Sequence, residues 1–311
     1  MAMKRRRVLI TAVATVLIGL IPVPLLAAPA GAAARPVSCK SSSHPALAAK
    51  LDHDIDRALR GRVSTVAVGV DAPGRGLQCW LNRTVHFDSA SVVKVTILSA
   101  LLRKAQEQHR HLTRAEAALA EEMITQSDNA AASDLWVDVG RYDLQHFLNL
   151  AHMTATYLGP GPFWGLTQIT AYNEVLLLRL LLNRNRVLDT SSRDYVLGLM
   201  ARVIPSQRWG VPVGAPTSLT VHVKNGWLPL LTHGWRIHSI GAFTGRGGGY
   251  SIVVLTQDNP TMTYGIDTIE AIAKVINRDL NPAAKSRVPA SASSPSWGTP
   301  DEPIPAVADT P

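Results

Sequence analysis

An α+β fold is expected for this chain: a five-stranded antiparallel sheet flanked by N- and C-terminal helices, with an inserted all-helical lobe. Three observations predict it. Strand patterns occur early (65–81) and return late (219–256), the apolar residues between them keep helical spacing, and helical patterns precede the first strands and follow the last. With 311 residues, 46% of them hydrophobic and 17% charged, the chain can bury a core for one or two domains.

Lys4, Arg5, Arg6 and Arg7 precede an apolar stretch at 8–28 and small residues at 30–34, the pattern of an export signal. The arginines also loosely fit a twin-arginine signal. An uncleaved anchor is the alternative, since about 20 apolar residues span a bilayer. Pro22, Pro24 and the small-residue exit favour removal. The expected division is a signal peptide at 1–34, a catalytic-type domain at 35–281 with its helical lobe at about 88–205, and a tail at 282–311. That tail is rich in Pro, Ser and Ala and is expected to be disordered.

Within the domain, Leu47, Leu51, Ile55 and Leu59 recur at i, i+4 and give a first helix that stops by Gly61. Strands at 65–70 and 77–81 flank a Pro73-Gly74 turn. A helix follows at 92–108, then one opened by a Thr113/Glu116 capping box. Further helices are expected at 130–139, 144–153, 174–182 and 194–203, strands at 219–223, 235–243 and 250–256, and a closing helix at 266–280. No internal repeat is present.

The formal charge of +8 falls to +4 once the four cationic residues of 1–34 are removed. The remaining excess is scattered, without the interleaved basic and aromatic patch of a nucleic-acid surface, so no nucleic-acid partner is expected. In an exported protein Cys39 and Cys79 most simply form a disulfide, two free buried thiols being the alternative. His109 and His111 lie two apart and make a poor metal pair. His222, His233 and His238 lack metal-type spacing, and neither a metal nor a cofactor is expected. Arg246-Gly247-Gly248-Gly249 reads as a hairpin turn rather than a phosphate loop.

Chemistry enters at FDSASVVKVTIL (87–98), where Lys94 lies in an apolar run three residues after Ser91. On a helix the two share a face. Val92, Val93, Val95 and Ile97 would desolvate the amine and lower its pKa. Such a lysine can take a serine proton and make the hydroxyl a competent nucleophile. A serine at a helix start also has backbone N–H groups directed at developing negative charge. Alone, the pair is a weak signal and better fits a surface lysine on an amphipathic helix. Two further groups accompany it: Ser127-Asp128-Asn129 in the helical section, and Lys224-Asn225-Gly226 on a late strand before Trp227.

In this order S-x-x-K, S-D-N and K-[ST]-G form the signature of class A β-lactamases and penicillin-binding proteins. The chain resembles that family over roughly 43–280. The stretch MITQSDNAA (123–131) resembles its second-motif helix, and His233-Gly234-Trp235-Arg236 the entry to its fourth strand. The resemblance implies a β-lactamase/transpeptidase-like fold. Ser91 would be the acylated nucleophile, Lys94 its activating amine, and Ser127 the proton relay to the leaving nitrogen, with Lys224 holding that hydroxyl and the substrate's charge. Asn129 would bind the substrate's acylamino group and help fix Lys94. Asn225, Gly226, Trp227 and Arg236 would complete the substrate site, Arg236 at a position where several members keep an arginine for the substrate carboxylate. Backbone N–H groups of Ser91 and Trp227 would form the oxyanion hole.

Three departures stand against that pattern. Asn225 replaces the hydroxyl residue of the third motif, and the 36-residue gap from Ser91 to Ser127 is short. The loop LGPGPFWGLTQIT (158–170) carries no glutamate, and Ser133 stands where the family holds that loop with an asparagine. Hydrolysis of an acyl-enzyme needs a water with its own general base, typically contributing about 10²–10⁴-fold. The expectation is therefore an exported serine hydrolase, acylated by β-lactams at Ser91 and slow to deacylate, a monomer without a membrane span once the signal is removed. A D-Ala-D-Ala peptidase or esterase of the cell wall, and a non-catalytic binding protein on the same fold, remain the alternatives.

Overall fold

The computed structural model describes residues 36–245 and 249–283. The expected signal peptide at 1–34, the expected tail from 284 onward and residues 246–248, where a hairpin turn is expected, lie outside the described residues.

The chain begins with β1 (Ser38–Ser41) and α1 (Pro45–Leu59), followed by the hairpin β2 (Thr65–Ala72) and β3 (Leu77–Leu81). A short strand β4 (Phe87–Asp88) leads to α2 (Val93–Glu107), α3 (Arg114–Thr125) and α4 (Asn129–Leu150), the last bent at Gly140. A second short strand β5 (Gln168–Ile169) precedes α5 (Ala171–Leu182) and α6 (Thr190–Ala201). Three long strands, β6 (Thr220–Pro229), β7 (Trp235–Thr244) and β8 (Tyr250–Asn259), lead to α7 (Met262–Leu280). The capping box that opens α3 is present in both directions: Glu116 N donates to Thr113 Oγ1 and Thr113 N donates to Glu116 Oε2.

The sheet is antiparallel in the order β1-β3-β2-β8-β7-β6, with α1 and α7 packed together over it. It has six strands rather than the expected five. The extra strand, Ser38–Ser41, has no alternating apolar pattern; it pairs with β3 so that Cys39 faces Cys79, and those two are joined as a disulfide. β4 and β5 form a separate two-stranded ribbon at the base of the helical lobe. β6 is the sheet's outer strand and lies against the turn that enters α2, so sheet and helical lobe meet at Ser91.

Arg179, inside the apolar run of α5, reaches Asp71 of β2 in a two-pronged ion pair (3.0 and 2.9 Å), which accounts for its place in that helix. Among the described residues no helix is long and apolar enough to cross a membrane.

Candidate active site

Ser91 lies in a short 3-10 turn, Ala90–Val92, that runs straight into α2. Ala90 sits at φ 46°, a left-handed conformation that a non-glycine residue rarely adopts and that needs surrounding support. The support comes from the segment before it. Asp88 is held by Arg236 Nε (2.9 Å) and Gln168 Nε2 (2.5 Å), and its carbonyl accepts from His238 Nε2 (2.8 Å). Ser89 N donates to Thr167 O (2.8 Å) and its hydroxyl donates to Gly165 O (3.3 Å). His238 is fully buried and works as a neutral strut. Thr256 N donates to its Nδ1 at 3.2 Å, which leaves Nε2 as the protonated nitrogen, and burial pushes the ring down to about 4.

One turn further on, Lys94 is fully buried. Its Nζ donates to Ser127 O (2.7 Å), Asn129 Oδ1 (2.8 Å) and Ser127 Oγ (3.2 Å). Ser127 presents its carbonyl because it sits at φ 60° in the tight turn between α3 and α4. Asp128 caps α4 by accepting from Ala131 N (2.7 Å), so the S-D-N turn combines a cap with an amine holder. Burial, and after it the charge of Lys224, holds the Lys94 amine well below the ordinary lysine value, with Asp128 opposing. Among the described residues no hydrogen bond joins Ser91 Oγ to Lys94 Nζ; the amine's donors go to the second motif instead.

β6 supplies the third side. Alternation along a strand sends Lys224 and Gly226 to one face and Asn225 and Trp227 to the other. Lys224 is fully buried, and its Nζ donates to Ser127 Oγ (2.8 Å) and Asn225 O (3.0 Å). Burial lowers it to about 7. Ser127 Oγ therefore accepts from both lysines. Gly226 makes the close approach: a Cβ there would stand 2.9 Å from Ser91 N and 3.0 Å from Val92 N, so only glycine lets β6 touch the turn.

Two expected substrate groups are placed differently. Asn225 is fully buried, and its Nδ2 donates to Gln207 O and Trp209 O, both at 2.9 Å. Its amide nitrogen ties β6 to the 205–209 loop, while its Oδ1 is buried without a hydrogen-bond partner. Arg236 is 3% exposed; its Nε donates to Asp88 and its Nη1 to Thr232 O and Gly234 O. It acts as a brace for the Ser91 segment, which sequence spacing cannot reveal because Asp88 lies 148 residues away. Asn129 stays exposed while fixing Lys94, and Trp227 is half-buried with its ring 6.1 Å from that of Trp209.

Trp164 is a residue that sequence reasoning passed over. Its ring covers Lys94 Nζ at 4.7 Å, and its indole N–H donates to Ser133 Oγ at 3.1 Å. The available signal was a lone tryptophan in a loop without carboxylates. Glu174 is in the first turn of α5, fully buried, with both oxygens unbonded, and burial raises it to about 8. Glu121 and Glu122 are exposed, Glu121 pairing with Arg202. Among the described residues no group of three or more His, Cys, Asp or Glu side chains could hold a metal ion. A separate cleft of about 350 Å³ beside the β2–β3 hairpin, lined by Asp71, Gln78 and Arg179, holds no serine, cysteine, histidine or lysine.

With a hydroxyl shared between two buried amines where sheet and helices join, the molecule falls by fold into the class of β-lactamase-like serine hydrolases. More particularly, the chain belongs to the beta-lactamase enzyme family, whose family model matches residues 115–280. Several solved structures share the fold. A class A beta-lactamase from Bacteroides cellulosilyticus is 19% identical, with a TM-score of 0.66 over 75% of this chain and 98% of its own. A beta-lactamase from Sphaerobacter thermophilus is 20% identical, with a TM-score of 0.64 over 76% and 99%. A variant of PBP-A, captured as an acyl-enzyme complex with penicillin G, is 16% identical, with a TM-score of 0.64 over 75% and 97%. No curated protein matches the sequence.

Proposed function

We propose that the protein is an exported serine hydrolase that forms an acyl-enzyme on Ser91, accepts β-lactams as acyl donors and deacylates slowly. The observation that carries this reading is Ser127 Oγ held by Lys94 at 3.2 Å and Lys224 at 2.8 Å, beside the turn that bears Ser91. Ser91 Oγ attacks the lactam carbonyl, and its proton passes to Lys94 in the neutral form that burial favours. Two N–H groups suffice for Ser127 O and Asn129 Oδ1, and the lone pair turns from Ser127 Oγ to Ser91. The C–N bond breaks as Ser127 gives its proton to the departing nitrogen, and the Lys94 ammonium returns a proton to Ser127 Oγ along the hydrogen bond between them. The backbone N–H groups of Ser91 and Trp227 take the oxyanion. Their proximity is supported by the contact of Gly226 with the Ser91 turn.

Slow deacylation follows from what lines the loop side of Lys94, where Trp164 offers a ring and an indole bound to Ser133. Neither can deprotonate a water. The missing loop carboxylate equally favours a cell-wall D-Ala-D-Ala peptidase or an esterase with the same nucleophile. Export is supported by the Cys39–Cys79 disulfide, since such bonds persist in oxidising compartments.

The test is intact-mass spectrometry after mixing with penicillin G, followed by peptide mapping. A lasting adduct on Ser91, absent in Ser91→Ala, is expected. Rapid multiple turnover would refute the slow step, and an adduct on Ser127 would reassign the nucleophile.

A further inference from the structure

Lys224 and Ser127 meet at 2.8 Å although one stands on β6 and the other on the turn between α3 and α4, 97 residues apart. A second connection joins the same two elements. The peptide groups just before Ser127 accept from the 204–209 segment: Thr125 O from Ile204 N (2.9 Å) and Gln126 O from Gln207 Nε2 (2.8 Å). That segment is tied in turn to β6, where Asn225 Nδ2 donates to Gln207 O and Trp209 O, both at 2.9 Å. Asn225 projects from the face of β6 opposite Lys224, so it grips the loop without entering the pair. Its Nδ2 carries two hydrogens for two carbonyls, whereas the hydroxyl residue it replaces carries one. Asn225 Oδ1 and Gln207 Oε1 are both buried without a partner, a cost set against the bonds that the N–H groups of these amides make.

We propose that Asn225 is a positioning residue for acylation: through Gln207 it straps β6 to the Ser127 turn and keeps Ser127 in line to protonate the departing nitrogen. The proposal rests on the reading of Ser91 as the acylated serine and of Ser127 as the donor of that proton. The strap matters where the leaving group needs a proton. A lactam nitrogen departs as an amine and must be protonated as the C–N bond breaks, whereas p-nitrophenolate departs as a stable anion and needs no proton. Loosening the strap therefore slows acylation by a lactam more than acylation by p-nitrophenyl acetate. A loss of folded protein lowers both rates in the same proportion and leaves their ratio unchanged.

The test compares the full chain with its Gln207→Ala and Asn225→Thr variants. Second-order rate constants are measured for Ser91-dependent reaction with penicillin G and with p-nitrophenyl acetate. Gln207→Ala alters a half-buried loop side chain and decides the matter alone if Asn225→Thr does not fold. The ratio of the penicillin constant to the ester constant is expected to fall by about tenfold or more in each folded variant. A smaller change in either folded variant overturns the proposal. So does faster penicillin acylation in Asn225→Thr, which would return a hydroxyl's role to residue 225. Wild type that reacts through Ser91 with only one of the two reagents also overturns it and leaves Ser91 acylation standing. No Ser91-dependent reaction with either reagent overturns the acyl-enzyme reading itself, and this proposal with it.

Discussion

The indole of Trp164 lies over the amine of Lys94, 4.7 Å from nitrogen to ring centroid. Two opposite influences reach the amine through this contact. A ring face attracts a cation by about 0.5–2 kcal/mol, whereas excluding water from an ammonium costs several kcal/mol. Exclusion is the larger, in line with burial as the leading cause of the lowered Lys94 pKa.

Trp164→Ala should therefore readmit water and raise the Lys94 pKa. The pH at which acylation is half-maximal then moves upward, and the rate near pH 7 falls while the rate at high pH recovers. A pH–rate profile for acylation reads this directly. An unmoved profile would mean that the indole serves only to hold Ser133 and the loop.

Asp88→Asn should destabilise the protein. Arg236 would keep its burial and lose its counter-charge, and breaking a buried pair from one side costs about 3–5 kcal/mol. Urea unfolding should show a lower midpoint at constant slope. Because Asp88 also anchors the turn carrying Ala90 at φ 46°, acylation should slow in the folded fraction as well.

Glu174 sets a pH dependence of stability. Burial raises its folded-state value to about 8, above the ordinary 4.5, so the folded chain holds a proton that the unfolded chain releases. Stability is fully present below about pH 4.5 and declines as pH rises through about 8. Glu174→Met should be more stable than wild type by about 3 kcal/mol at pH 7, with the gain vanishing toward acid. Denaturant unfolding at several pH values measures it; a gain independent of pH would show that the carboxyl ionises freely in the fold.

Reduction of Cys39–Cys79 should cost about 4 kcal/mol by loop-closure entropy, given a separation of 40 residues. Unfolding with and without a reductant that spares the rest of the chain gives the difference. A Cys39→Ser, Cys79→Ser chain should match the reduced protein.

Much of this architecture was readable beforehand because its cues are local. The i, i+4 apolar spacing of α1, the Thr113/Glu116 box of α3 and the alternation in β2 each depend on neighbours a few residues away. Ser91, Lys94, Ser127 and Lys224 were legible as three spaced motifs, although the Lys94 donors turn to the second motif rather than to Ser91. What escaped depends on distant partners. Strand β1 exists through its pairing and disulfide with β3. The bonds of Arg236 to Asp88 and of Asn225 to the 205–209 loop join residues that no local pattern relates. Trp164 carries no periodicity at all, and its importance comes from lying opposite a lysine 70 residues earlier.

Gly226 leaves less room than a single methyl group between the outer strand and the backbone of the nucleophile's turn. A joint that tight cannot close further, and a bulkier residue at 226 would have to push the strand away from the turn. Whatever widens the crevice there also draws the third motif away from the nucleophile.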